Sequence, residues 1–293
     1  MTQEQEAKGT SAAPSHPADA QGKPAAPGRQ GKPRQHDKVT RMGTESIPRL
    51  ITEFAVPSIL GMLVNGAYNV IDSIFLGQAM GEIGLSTATV AMPIMTVFMA
   101  IAMLVGNGGN ALAALRMGEG KPEEAERSLG NTVTLSLIAS VVVAIVMFVP
   151  ACIDGLLSVS GATPEDWDYA MQFIRIISLG FIFQCIGMGV NNFIRTAGAP
   201  NRALGTMIIG AVACTVFNAL FVLIMGMGVV GSALATVCGQ AISCATVLWY
   251  FCLTKGVPMR LRLRMMPLHG ETVRLILSLG LASFAVQAGM AAV

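Results

Sequence analysis

Asp72 is the side chain in this sequence whose position most invites chemistry, because it closes a stretch, Phe54 to Ile71, that contains no charged residue. Ser58, Gly61, Asn65, Tyr68, Asn69 and Asp72 recur at spacings of three and four, which places them on one face of a helix. A polar stripe that ends in a carboxylate can take up and release a proton or hold a small cation. Three later apolar segments repeat the stripe without an acid: Gln184, Gly187, Asn191 and Arg195; Gly210, Cys214 and Asn218; and Ser232, Thr236, Gln240 and Ser243. Four such stripes can line one hydrated cavity. Close packing through small residues, as in Gly231-x-x-x-Ala235, accounts for the Ser232 stripe equally well, but it does not call for an Asp on the first.

Other combinations carry less chemistry. Gly106-Asn107-Gly108-Gly109-Asn110 resembles a phosphate cradle, yet it follows no strand and reads as helix packing or fraying. Glu119, Glu123, Glu124 and Glu126 lie near Lys121 and Arg127 and read as a solvated turn. The six cysteines, at 152, 185, 214, 238, 244 and 252, form no C-x-x-C pair and read as small apolar side chains. Two of the three histidines, His16 and His36, sit in the polar N-terminal stretch without ligand spacing. No nucleophile and base pattern and no metal-ligand set is present, so neither catalytic nor metal-ligating residues are expected, nor a cofactor.

The elements that must position the stripes follow from composition. Of 293 residues, 53% are hydrophobic and 12% charged, about half the charge of a soluble domain, and the mean hydropathy is +0.61. The net charge of +2 argues against a nucleic-acid partner. Besides Phe54 to Ile71, the runs Ile83 to Leu115, Ser128 to Ile153, Ile176 to Ile194, Ala203 to Thr254 and Leu275 to Val293 lack charge. A helix crosses a bilayer in about 20 residues, so the 52-residue run from Ala203 is two helices, with the turn at Gly226, Gly228 and Gly231. The expected fold is an all-α integral membrane protein: a six-helix transmembrane bundle plus a truncated seventh helix. Residues 1–45 have no Leu, Ile, Phe, Tyr or Trp and are expected to be a disordered cytoplasmic tail. Residues 46–254 form the N-terminal lobe, 255–270 a cytoplasmic linker, and 271–293 the truncated start of a second lobe.

Orientation follows from the basic residues, which accumulate on the cytoplasmic side. With six complete spans and the N-terminus inside, eighteen of the nineteen Lys and Arg fall in cytoplasmic segments, among them Arg195 and Arg202 in the loop after the fourth span. The nineteenth, Arg175, lies in the first turns of that span, and the outer loops contain none. This predicts a multi-pass protein of the cell (inner or plasma) membrane. An offset of 225 aligns Arg49-Leu50-Ile51 with Arg274-Leu275-Ile276 and Ser58 with Ser283, so the seventh span reads as the first starting over. Internal repeats with a site between them are a common plan for transporters, and the chain is expected to be the first half of a two-lobed one.

Several motifs point to one family. Ile47-Pro48 with Phe54-Ala55-Val56-Pro57, Tyr68-Asn69-Val70-Ile71-Asp72-Ser73-Ile74-Phe75-Leu76-Gly77, Arg195-Thr196-Ala197-Gly198-Ala199-Pro200, and Gly228-Val229-Val230-Gly231-Ser232-Ala233-Leu234-Ala235-Thr236 resemble the multidrug and toxic compound extrusion (MATE) family, specifically its bacterial and archaeal drug exporters. The resemblance runs from about Ile47 to Val293. It implies half of a twelve-helix antiporter with two pseudo-symmetric bundles, exporting cationic or amphipathic drugs in exchange for protons or sodium by alternating access. Asp72 and Tyr68 match the family's first-helix carboxylate and its neighbour one turn earlier, Pro57 the bend in that helix, and Thr236 the hydroxyl on the sixth. Where relatives carry an Asn and, four residues on, an Asp on the fifth helix, this chain has Cys214 and Asn218. One carboxylate suits a proton better than sodium, whose hard charge wants oxygen ligands.

The candidate coupling residues are therefore Asp72, Tyr68, Asn69, Asn218 and Thr236, with Asn65, Gln184, Asn191, Cys214 and Gln240 lining the substrate cavity and Pro57 as the helix bend. Protonation of Asp72 from outside is expected to bias the first helix toward another bend at Pro57 and close the outward cavity after drug release. The coupling ion is H+ or Na+, the partners are small-molecule drugs, the lipid bilayer and a missing C-terminal lobe. Two alternatives stand beside this: a flippase of lipid-linked or polysaccharide precursors, which would want more intramembrane Arg and Lys than the one residue, Arg175, that comes near; and a non-transporting half-transporter remnant.

Overall fold

The computed structural model describes residues 47–254 and 257–291. The expectation for the tail at 1–45 lies outside these residues. Every long element among them is a helix. A nearly continuous helical ribbon, Ile47–Gly118, is broken at Gly81, whose φ of 58° and ψ of −133° interrupt the helical backbone. We label its parts α1 (residues 47–80) and α2 (82–118). They are followed by α3 (Pro122–Phe148), the short α4 (Pro150–Val159), α5 (Trp167–Thr196), α6 (Pro200–Asn218), α7 (Gly228–Leu253) and α8 (Gly270–Ala291).

Local sequence explains the punctuation. Pro122, Pro150 and Pro200 each open a helix, where the missing N–H of proline costs nothing. The segment Arg195 to Pro200 is a helix-to-helix corner: α5 ends at Thr196, Gly198 turns the chain at φ 78°, and Pro200 begins α6. The turn expected within the 52-residue run is present, with Gly226 at φ 65° and Gly228 at φ 55°. Just before it α6 widens into a π-helical segment, Ala219–Ile224.

Among the described residues, six helical stretches are long and apolar enough to cross a membrane, from Met80–Gly118 through Gly270–Gly289. They correspond to the expected spans two to seven. The first expected span is helical throughout, and Ala55–Val64 is a shorter apolar piece of it among the described residues. The protein is a multi-pass membrane protein.

The helices pack around two apolar clusters at opposite ends of the bundle. One joins Leu76 and Phe98 to Ile153, Leu157, Ile174 and Phe181 from α1, α2, α4 and α5, with the Phe98 and Phe181 rings 5.2 Å apart. The other joins Leu129, Phe193, Ile194, Tyr250 and Phe251 to Val257 and Met259. The Gly106 to Asn110 segment lies inside α2 as packing, without fraying. A Cβ on Gly106 would collide with the Cα of Gly189 on α5, and one on Gly108 with the carbonyl of Ile276 on α8. Gly280 of α8 is pressed in the same way against the carbonyl of Leu104, and Asn107 donates to Ser283 Oγ at 3.2 Å. Thus α8, expected to open a second lobe, packs along α2.

The expected linker is strapped to α3. Glu126 Oε1 accepts the Arg260 backbone N–H at 3.0 Å, and its Oε2 pairs with Arg262 at 3.3 Å. Asn131 Oδ1 accepts the His269 N–H at 3.1 Å, and the Thr134 hydroxyl donates to the Met266 carbonyl at 2.9 Å. Glu126 is 8% exposed, which corrects its reading as part of a solvated turn: α3 begins at Pro122, so Glu126 falls inside the helix, on the face the linker covers. Glu119 does remain in the α2–α3 turn and Glu124 lies in the first turn of α3; both pair with Arg116, at 2.8 and 3.0 Å. The hydrogen bond from Arg116 holds the Glu119 carboxyl below its ordinary range.

Candidate functional site

Asp72 sits in the second half of α1, where the helix faces α6 and α7. Its Oδ1 accepts hydrogen bonds from Asn218 Nδ2 at 3.0 Å and from the Ser232 hydroxyl at 2.9 Å. Asn218 is 1% exposed and Ser232 fully buried. Asn218 is also the last residue of α6 before the π-helical segment, and π turns often occur at functional positions. Cys214 lies one turn earlier, its Sγ 3.5 Å from Asn218 Nδ2. The two helix-five departures from the family pattern therefore stand together beside the lone acid.

Asp72 borders a cavity of about 260 Å³ whose walls include Thr236, Gln184, Cys214 and Gln240. Four expected site residues thus meet the acid around one space. Gln184 and Gln240 each bury an Oε1 that accepts no hydrogen bond among the described residues. The rest of the wall is largely sulfur and carbon: Met92, Met95, Met99, Met188 and Met207, with Phe173. Methionine is flexible and polarisable and accommodates varied apolar shapes. Among the described residues, this cavity has one charged group in its lining, Asp72.

A second cavity of about 300 Å³ adjoins the first and shares Met99, Met188, Met207 and Ser243 with it. Asn191 lines this one, and its Nδ2 is committed to α6, donating to the Ala203 carbonyl at 3.1 Å and Thr206 Oγ1 at 2.6 Å. The polar stripes therefore face two abutting spaces rather than one. Pro57 lies inside α1 and is buried; it cannot donate to the carbonyl four residues earlier, which softens the helix there. The side chains of Asn65, Tyr68 and Asn69 lie outside the described residues.

Sequence reasoning left out two groups. Ser232 had the spacing signal, one turn from Thr236 on the same stripe, but not the pairing across helices that makes it a partner of Asp72. Arg195, placed on the fourth-span stripe and also counted with a cytoplasmic loop but not named among the cavity residues, belongs to the last turn of α5 and borders the second cavity, so Arg175 is not alone among the arginines near the spans.

The family model described as MatE matches residues 57–220, more than half of the chain. The chain belongs to the MatE family. The "Multidrug export protein MepA" of Staphylococcus haemolyticus is 22% identical over 206 residues, 70% of this chain and 45% of that protein. Among solved structures, the "MATE multidrug transporter DinF-BH", in complex with rhodamine 6G, is 34% identical with a TM-score of 0.79, over 85% of this chain and 55% of that one. An outward-facing structure of a MATE family multidrug resistance transporter aligns at 0.74 with 28% identity, over 81% of this chain and 52% of that one. The chain spans about half the length of the curated relatives it matches.

Proposed function

We propose that this MatE-family chain acts as the N-terminal lobe of a secondary antiporter that exports cationic, amphipathic drugs, with protons coupled through Asp72. It does so as a transporter, not an enzyme, in a cell membrane with its N-terminus in the cytoplasm. The observation that carries this is a single carboxylate at the edge of a methionine-walled cavity. A drug with a positive charge and apolar rings gains dispersion contacts from the methionines and Coulomb attraction from Asp72, while the free Gln184 and Gln240 oxygens accept from N–H donors. The same carboxylate cannot serve a proton and a cationic drug together, so protonation from outside displaces the drug. Antiport follows when proton and drug favour opposite conformations.

Sodium is less well served. A hard cation wants several oxygen ligands, whereas the acid's nearest neighbours on α6 are a thiol and an amide that turns its Nδ2 toward Asp72. The similarity to multidrug export proteins supports the drug class. In a transporter carrying this lobe, Asp72→Asn is expected to abolish rhodamine 6G export driven by an imposed proton gradient; undiminished export overturns the assignment. Export that follows an imposed sodium gradient at fixed pH replaces the proton as coupling ion.

A further inference from the structure

We infer that a third cavity, where α2 gives way to α3 and α8 begins, binds a phosphoethanolamine group carried by a membrane lipid. It holds about 290 Å³ and is lined by Arg116, Lys121, Glu124, Arg127, Glu271 and Thr272, with Leu112 and Leu275 as its apolar part. Arg116 belongs to the last turn of one membrane-spanning stretch, which ends at Gly118, and Glu271 to the first turn of another, which starts at Gly270. The cavity therefore lies between two spans at the depth where apolar helix meets charge, which is the level of lipid headgroups. Leu275, one turn deeper in α8 than Glu271, is 39% exposed and offers an acyl chain an apolar surface that begins inside the cavity.

Charge in this cavity is of both signs and only partly spent. Arg116 is committed to Glu119 and Glu124, at 2.8 and 3.0 Å, and Lys121 reaches the same two carboxylates at 3.4 and 3.7 Å. Arg127 and Glu271 join no ion pair among the described residues. The uncommitted groups are thus a guanidinium, with five donors, and a carboxylate, which only accepts. A simple anion drawn to Arg127 would also meet Glu124 and Glu271, and a simple cation drawn to Glu271 would meet Arg116, Lys121 and Arg127. A ligand with both signs a few bonds apart avoids either repulsion. Its phosphate oxygens take paired N–H donors from Arg127, with Lys121 adding charge, while its primary ammonium donates to Glu271. A choline head carries the same charges, but its quaternary nitrogen has no N–H to donate, and a glycerol head has no cation.

Native mass spectrometry of the full chain, released from detergent after titration with dioleoyl phosphatidylethanolamine, phosphatidylcholine or phosphatidylglycerol, gives the number of lipids bound and the dissociation constant of each. One saturable phosphatidylethanolamine is expected, held about tenfold more tightly than the other two, the worth of one charge-assisted hydrogen bond. Arg127→Gln should weaken all three lipids, since all carry the phosphate, and Arg127→Lys should restore part of the loss. Glu271→Gln should weaken phosphatidylethanolamine alone, by about tenfold, and leave phosphatidylglycerol unchanged or tighter, because a negative charge has gone from beside its phosphate. Equal affinity for the three lipids, binding indifferent to Arg127→Gln, or a loss in Glu271→Gln that extends to phosphatidylglycerol overturns the inference; the last is what a loosened fold would give. Soluble phosphoethanolamine separates the two sources of the group. Displacement of the lipid only at far higher concentration supports the lipid, and displacement at equal concentration overturns the lipid as its carrier.

Discussion

Ser232 and Asn218 hold Asp72 from two different helices, so each reports on the site without removing the acid. Ser232→Ala deletes the 2.9 Å donor, a contact worth about 1.5–3 kcal/mol when the acceptor is charged and part of that when it is shared. The expected result is a several-fold change in rhodamine 6G affinity and a shifted pH profile of export, with the fold intact. Asn218→Ala acts on the same oxygen, and the double variant should not show the sum of the two effects, because both donors serve one acceptor. Dye titration of the four proteins checks this; strict additivity would mean that the two contacts are independent. At this scale the sequence was readable where periodicity alone decides. Asp72, Gln184, Cys214, Thr236 and Gln240 were visible as polar stripes, and they meet at one cavity. The Ser232 bond and the methionine wall depend on how helices are rotated against one another, and no single helix's pattern records that.

Between elements, glycine sets the distances. Gly106 against Gly189 and Gly280 against Leu104 bring backbones together where a methyl group would overlap main-chain atoms, so relief requires the helices to move apart. Gly106→Ala and Gly280→Ala are each expected to cost about 1–3 kcal/mol, the usual range for overpacking, seen as a lower melting temperature in detergent. Gly66 is the control: a Cβ there would meet nothing within 4 Å, and Gly66→Ala should be neutral or slightly stabilising through helix propensity. The linker has its own test. Glu126→Ala removes the acceptor for Arg260 N–H and the partner of Arg262, and is expected to speed amide exchange and proteolysis across residues 257–269 while leaving α5 protected. Of these features, the helices, the Gly226 turn and the packing role of Gly106 to Gly109 were legible. The strap was not, because a charged helix face looks the same in sequence whether it meets water or another part of the chain.

At the scale of the molecule, the helices form two apolar clusters, and the cavities are lined largely by other residues. Asp72 and Arg195 each border a cavity rather than lie in an apolar cluster, as ionisable groups within membrane helices usually do. The direction in which this bundle stands in the membrane follows from its loops. Glu165 lies in the exposed α4–α5 loop, a segment without Lys or Arg, and Arg264 lies exposed in the strap, among most of the basic residues that follow α7. With the exposed Cys152 and Cys252 replaced by Ser, a membrane-impermeant maleimide applied to intact cells is expected to label Glu165→Cys at once and Arg264→Cys only after permeabilisation. The reverse pattern would invert the lobe and put protonation of Asp72 under the control of the cytoplasm. The distribution of Lys and Arg would then have misled. Equal labelling of both positions in intact cells would mean that the chain inserts in both directions, which the near-complete segregation of its basic residues opposes.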